Sequence, residues 1–139
     1  MLFGAHVSAS GGISTAIDRA EAMGCDAVQV FTQSPRMWRA TEHSDEQVAR
    51  FRERRQEAGI RSAVCHALYL VNLATTDRAL RTRSVKALEA TLDAAAAIGA
   101  EGVVFHPGSH LGAGPKAGVR RAVAALRPLL DRTSDDLWL

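Results

Sequence analysis

The stretch VVFHPGSHLG, Val103 to Gly112, sets an apolar run against an abrupt turn and places two histidines around it. Val103, Val104 and Phe105 followed by Pro-Gly read as a buried strand that stops at His106. Working outward, the same arrangement recurs upstream. Leu2 to His6 reads as a strand followed by a small-residue loop, SASGGIST. Ile13 to Met23 then carries apolar residues at helical spacing, with Gly24 after it. Ala27 to Phe31 reads as a second strand, followed by a long polar loop, TQSPRMWRATEHS. Ser44 with Gln47 three residues on reads as a capping box for a helix from Asp45 to about Ala58, ended by Gly59. Ser62 to His66 is the third strand. Thr76 or Asp77 opens a long helix to Ile98, Gly102 to His106 is the fourth strand, and Ala117 to about Arg132 the fourth helix. DDLWL, at the end, reads as the start of a fifth strand.

Strict β/α alternation implies right-handed crossovers and a parallel sheet, either doubly wound or closed into a (β/α)8 barrel. Length fits one domain: 139 residues, 47% hydrophobic. No run approaches the ~20 apolar residues of a membrane span, and the first residues lack the charged and apolar regions of a signal peptide. Cys25 and Cys65 form no spacing motif, which suits a reducing cytoplasm. A formal charge of +2 is too small to argue for nucleic acid by itself. The expectation from composition is a cytoplasmic protein with no membrane partner.

Three of the five histidines fall at one structural place: His6, His66 and His106 each close an expected strand. The carboxyl ends of parallel strands converge on the active site in barrels and open sheets alike. Neutral imidazole is the commonest ligand for transition metals, although a single such histidine is more often a core or loop group satisfied by backbone. Strand periodicity puts His66 on the face of Val64 and turns Cys65 away from it, so Cys65 is expected under a helix rather than at a metal. His110 reads as a group that braces the loop after Pro107-Gly108, and His43, among Thr, Glu and Ser, as solvated. No acidic residue ends a strand, so this constellation supplies only part of a metal site.

Four motifs then carry a resemblance. GAHVSASGG (Gly4 to Gly12), FTQSPRMWRA (Phe31 to Ala40), HALYLVNLA (His66 to Ala74) and FHPGSHLG (Phe105 to Gly112) together resemble the endonuclease IV (deoxyribonuclease IV) family. The resemblance covers essentially the whole chain, in order and register. It implies an α/β fold, the first half of a (β/α)8 TIM barrel: about four β/α units and the start of a fifth strand. Residues 1–139 are then the N-terminal part of a single barrel domain, a fragment whose other half lies beyond Leu139, since such a barrel needs about 250 residues.

The function implied is a zinc-dependent apurinic/apyrimidinic endonuclease of base-excision repair. It hydrolyses the phosphodiester 5′ to an abasic site, leaving a 3′-hydroxyl and a 5′-deoxyribose phosphate. The resemblance assigns His66 and His106 to zinc, as two ligands of one of three ions in the complete protein. It assigns Arg36 and Tyr69 to double-stranded DNA containing abasic sites, as side chains entering the base stack. His6 and His110 stand beside the metal site without ligating it. The complete protein is expected to be a monomer, and this half alone to be inactive. Wedge-like side chains offset the few kcal/mol of unstacking that an extrahelical nucleotide requires, and the loop around Trp38 and Arg39 could also merely pack or touch phosphate. Two other readings stay open: a sugar isomerase or epimerase of the xylose-isomerase-like barrels, and a half-barrel that binds DNA without cleaving it.

Overall fold

A computed structural model describes all 139 residues. Four β/α units follow one another: β1 (Gly4–His6), α1 (Thr15–Ala22), β2 (Ala27–Phe31), α2 (Asp45–Glu57), β3 (Ser62–His66), α3 (Arg78–Ile98), β4 (Gly102–Val104) and α4 (Pro115–Leu130). The strands lie in chain order, β1-β2-β3-β4, and every pairing is parallel. Trp138 continues the series beside β4. It bridges Gly102 in parallel, accepting from Val103 N–H (2.9 Å) and donating its own N–H to Glu101 O (3.0 Å).

Strand order settles what alternation left open. A doubly wound sheet reverses its order at a switch point; this one never does. Successive right-handed crossovers then lay every helix on one side of the sheet, where α1 packs on α2, α2 on α3 and α3 on α4. That is the wall of a (β/α)8 barrel, four units and the beginning of a fifth strand.

Strand alternation sorts the faces. Val28 and Val30 of β2, Ala63 and Cys65 of β3 and Val103 of β4 turn toward the helices and are buried. They meet Ile17 of α1, Phe51 of α2, Leu88 and Leu92 of α3 and Leu129 of α4 in one core cluster. Burying each such large side chain contributes about 1.5–3 kcal/mol. The residues between them, Ala27, Gln29 and Phe31 on β2 and Ser62 and Val64 on β3, face the barrel axis and are half-buried.

Local signals explain the helix ends. The Ser44–Gln47 capping box forms in both directions, Gln47 N–H to Ser44 Oγ (3.3 Å) and Ser44 N–H to Gln47 Oε1 (3.0 Å). Asp77 caps α3 by accepting from Leu80 N–H at 3.0 Å. α4 begins two residues before the expected Ala117, at Pro115, because proline is preorganised for the first helical position. β1 begins at Gly4 rather than Leu2, and β4 ends at Val104 rather than His106. Ala67 N–H takes the last ladder bond, to Val104 O (2.8 Å). Pro107 then offers no N–H and turns its carbonyl to Leu73 N–H (2.9 Å) and Ala74 N–H (3.3 Å). His106 therefore sits two residues past the strand, on a turn tied to the β3–α3 loop.

Candidate functional site

The carboxyl ends of β1, β2 and β3 bring His6, Phe31 and His66 together, and the turn after β4 adds His106. Ring centroids lie 5.9 Å apart for His6 and His66 and 5.3 Å apart for His66 and His106. Tyr69, three residues past β3, closes the group at 5.4 Å from His66 and 6.2 Å from His106. Phe31 fills the middle, 4.5 Å from His6, 5.1 Å from His66 and 5.3 Å from Tyr69. Sequence reasoning did not single Phe31 out, although its place is legible: it ends β2 on the axial face and pairs in register with His66.

The imidazoles are not equivalent. His66 is 7% exposed, and its Nδ1 lies 2.6 Å from Ala67 O. A carbonyl only accepts, so Nδ1 carries the proton. In the neutral ring this leaves Nε2 as the lone-pair nitrogen, and Nε2 makes no hydrogen bond. Fixing one ring nitrogen on a backbone carbonyl is how proteins orient a metal-binding histidine. His6 has the opposite arrangement. The Gln29 amide nitrogen reaches its Nδ1 at 2.8 Å, across the His6↔Gln29 register pair, so Nδ1 accepts and the neutral ring is protonated on Nε2. Although His6 remains exposed, partial desolvation, reinforced by the neighbouring His66, lowers it from the ordinary imidazole value.

His110 does not join this group. It packs on α4, close enough that a Cβ on Gly118 would meet its Cβ at 2.8 Å, and its Nδ1 is buried without a hydrogen-bond partner. His43, expected in solvent, is half-buried and bonds Thr32 O through Nε2 at 2.8 Å. Its imidazole reaches back across the loop to the residue that follows β2. Cys65 is fully buried under the helices, and burial, aided by the Glu101 carboxylate, pushes its thiol up to about 12.

No three His, Cys, Asp or Glu side chains converge on a single point. His66 and His106 offer a pair of imidazoles, the donor type that zinc takes, but a closed coordination shell needs further ligands. Arg36 is exposed on the β2–α2 loop, and the adjacent Pro35 carbonyl accepts Tyr69 N–H at 3.0 Å. The loops bearing Arg36 and Tyr69 are thus joined through backbone, a link with no signature in the sequence. Beside them a cleft of ≈ 760 Å³ opens between the β1–α1 and β2–α2 loops, with His6, Phe31, Gln33 and His43 in its wall. His66, His106 and Tyr69 lie outside that cleft, on the open axial face.

Similarity to known proteins follows the same architecture. The chain is 38% identical over 128 residues to a protein named "Probable endonuclease 4" from Citrifermentans bemidjiense, covering 92% of this chain and 45% of that protein. A protein of the same name from Nitratidesulfovibrio vulgaris is 41% identical over 131 residues, covering 94% and 46%. The chain spans about half the length of the curated relatives it matches. Among solved structures, endonuclease IV from Thermus thermophilus superposes with a TM-score of 0.84 at 38% identity, covering 100% of this chain and 51% of that one. A D-psicose 3-epimerase superposes at 0.69 with 21% identity, over 95% and 48%, which speaks to the fold alone. Residues 17–137 match the profile described as xylose isomerase-like TIM barrel. Strand order, one-sided helices and that match agree: the chain belongs to the xylose isomerase-like TIM barrel family.

Proposed function

We propose that this chain is the N-terminal part of a barrel domain, completed by further polypeptide, that acts as a zinc-dependent endonuclease at abasic sites in double-stranded DNA. One observation carries the reading: His66, with Nδ1 held on Ala67 O and Nε2 free, stands 5.3 Å from His106 and beside the Tyr69 ring. The likeness to proteins named endonuclease 4, at 38–41% identity over more than nine-tenths of the chain, supports placing that constellation in a nuclease. The sugar-epimerase reading has only the fold in its favour.

His66 and His106 would hold one zinc ion as neutral imidazoles, with the remaining ligands coming from outside these residues. Zinc at such a site supplies Lewis acidity toward phosphoryl oxygens. The chain's own groups set the stage. Ala67 O orients His66, while Phe31 packs against His6 and His66 and limits how they turn. His6, protonated on Nε2, contributes a donor rather than a lone pair. Tyr69 is 55% exposed and Arg36 is free of ion pairs, so both are available to fill the gap in a base stack at an abasic nucleotide. Cleavage 5′ to that nucleotide leaves a 3′-hydroxyl and a 5′-deoxyribose phosphate.

The test is made in the full-length protein. His66→Ala and His106→Ala should each lower zinc content by native mass spectrometry and cut incision of an abasic duplex by orders of magnitude. Full zinc content in both variants would overturn the ligand assignment. Tyr69→Ala and Arg36→Ala should keep zinc and raise the dissociation constant for abasic duplex more than for undamaged duplex. Stacking contacts of this kind are worth ~1–3 kcal/mol per base. An equal loss on both duplexes would reduce these side chains to backbone contacts.

A further inference from the structure

We propose that Arg83, on α3, is a positioning residue that holds the Arg36 loop in place by clamping Trp38. The proposal rests on the abasic-site reading for its effect on DNA, though not for the clamp itself. The guanidinium carbon of Arg83 lies 5.3 Å from the Trp38 ring centroid, over the ring. Trp38 is half-buried against the hydrophobic core, so core packing and the cation together fix the indole. Arg83 is itself exposed and takes part in no ion pair, which leaves Trp38 as its partner.

The consequence follows from what Trp38 anchors. Between β2 and the α2 cap the chain runs from Thr32 to His43 without helix or strand. It is pinned at its two ends by the His43 Nε2 contact with Thr32 O (2.8 Å) and near its tip by Trp38. Within that span Met37 N–H donates to Ser34 O (3.3 Å), forming a tight turn that presents Arg36 and the 57%-exposed Met37. Pro35 O accepts Tyr69 N–H from the neighbouring loop. Arg36 and Tyr69 are thus tied together through this backbone bond, and the Arg83–Trp38 contact ties the pair to α3.

Hydrogen exchange and duplex binding in the full-length protein test this. Arg83→Ala should accelerate amide exchange across residues 32–41 and weaken abasic-duplex binding roughly two- to five-fold, the scale of one exposed cation–π contact. Arg83→Lys, which keeps a cation over the ring, should recover most of the loss where Arg83→Gln does not. In a Trp38→Leu background Arg83→Ala should add nothing. If Trp38→Leu fails to fold, the Lys-against-Gln contrast carries the test alone. The salt dependence of binding should be unchanged, since an arginine touching phosphate would lower the salt slope by about one on removal.

Unchanged exchange overturns the clamp, and a lowered salt slope replaces it with a direct DNA contact. Accelerated exchange with unaltered abasic affinity overturns the positioning role. In that case a loss in Tyr69→Ala confines the failure to Arg83, whereas a silent Tyr69→Ala means the abasic-site reading has failed as well.

Discussion

Gly108→Ala tests the turn that carries His106, because its cost divides into two parts that the structure separates. Gly108 has φ +89° and Gly112, four residues on, has φ +85°. An L side chain in this left-handed region costs roughly 1–2 kcal/mol at either position. A Cβ at Gly112 meets nothing within 4 Å, whereas one at Gly108 falls 2.3 Å from Asn72 Oδ1 and 2.6 Å from Asn72 Cα. Asn72 is tied at both ends: its N–H donates to Ser84 Oγ (2.9 Å), and its Oδ1 accepts from Ala74 N–H (3.1 Å). Moving it breaks one of those bonds, and overpacking of this kind adds roughly 1–3 kcal/mol. Gly112→Ala should therefore cost about 1–2 kcal/mol and Gly108→Ala about 2–5 kcal/mol.

The assay is urea unfolding of the full-length protein, read as a shift in midpoint at constant m. A second consequence is local. Pro107 O holds Leu73 and Ala74 N–H, so a displaced turn shears His106 against the loop that follows His66. Zinc content should fall in Gly108→Ala and not in Gly112→Ala. Equal destabilisation by the two alanines would refute the argument, since it would mean that Asn72 yields freely.

Glu101 accepts hydrogen bonds from Arg55 and from Ala63 N–H (2.7 Å), joining α2, the start of β3 and the approach to β4. Burial alone would raise its carboxyl, yet these donors hold it below the usual carboxylate range. A depressed carboxyl stabilises the fold fully above the unfolded value near ~4.3 and loses that contribution as pH falls through the folded one. Glu101→Gln should thus lower the urea midpoint at pH 7, and the gap to the parent should narrow as pH falls below ~4.3; a gap that stays constant on acidification would contradict the linkage. Cys65, with its thiol pushed up to about 12, should resist iodoacetamide in the native protein while half-buried Cys25 reacts, as mass spectrometry of the labelled peptides would show. Equal labelling rates would mean that the core opens faster than its packing implies. His43→Ala removes the bond to Thr32 O and should cost roughly 0.5–1.5 kcal/mol in the same unfolding assay, where a freely solvated imidazole would cost nothing.

The fold was legible wherever short-range signals and long-range packing agree. β2 and β3 run between the residues that periodicity selects, because their side chains point alternately to the helices and to the barrel axis and each strand is paired on both sides. The Ser44 box and the Asp77 cap act through bonds spanning three residues, so sequence shows them directly. β4 resisted because its end is decided at a distance: Leu73 and Ala74, more than thirty residues earlier, draw Pro107 O out of the ladder. Strand order was equally hidden, since a right-handed crossover can return on either side of its predecessor. Alternation alone does not distinguish a barrel wall from a doubly wound sheet; the four motifs' resemblance pointed to the barrel, and the strand order agrees.

The site divides along the same line. That His6, His66 and His106 gather at one rim was readable from where the expected strands stop; what each can do there was not. His6 and His66 both end strands on the axial face, yet they present opposite tautomers. His66 meets the carbonyl of Ala67, which can only accept, and so keeps the Nε2 lone pair free. His6 meets the amide nitrogen of Gln29 across the β1–β2 register, and so turns an N–H outward. Place along a strand follows from period and turn chemistry, which are local. Chemical role follows from the one neighbour that fixes a ring nitrogen, and for His6 that neighbour lies 23 residues away in the chain. Exchanging that partner is the sharpest probe of the distinction. Gln29→Leu frees His6 Nδ1 and should leave zinc content untouched if His6 only donates; a loss of zinc would make His6 part of the metal site.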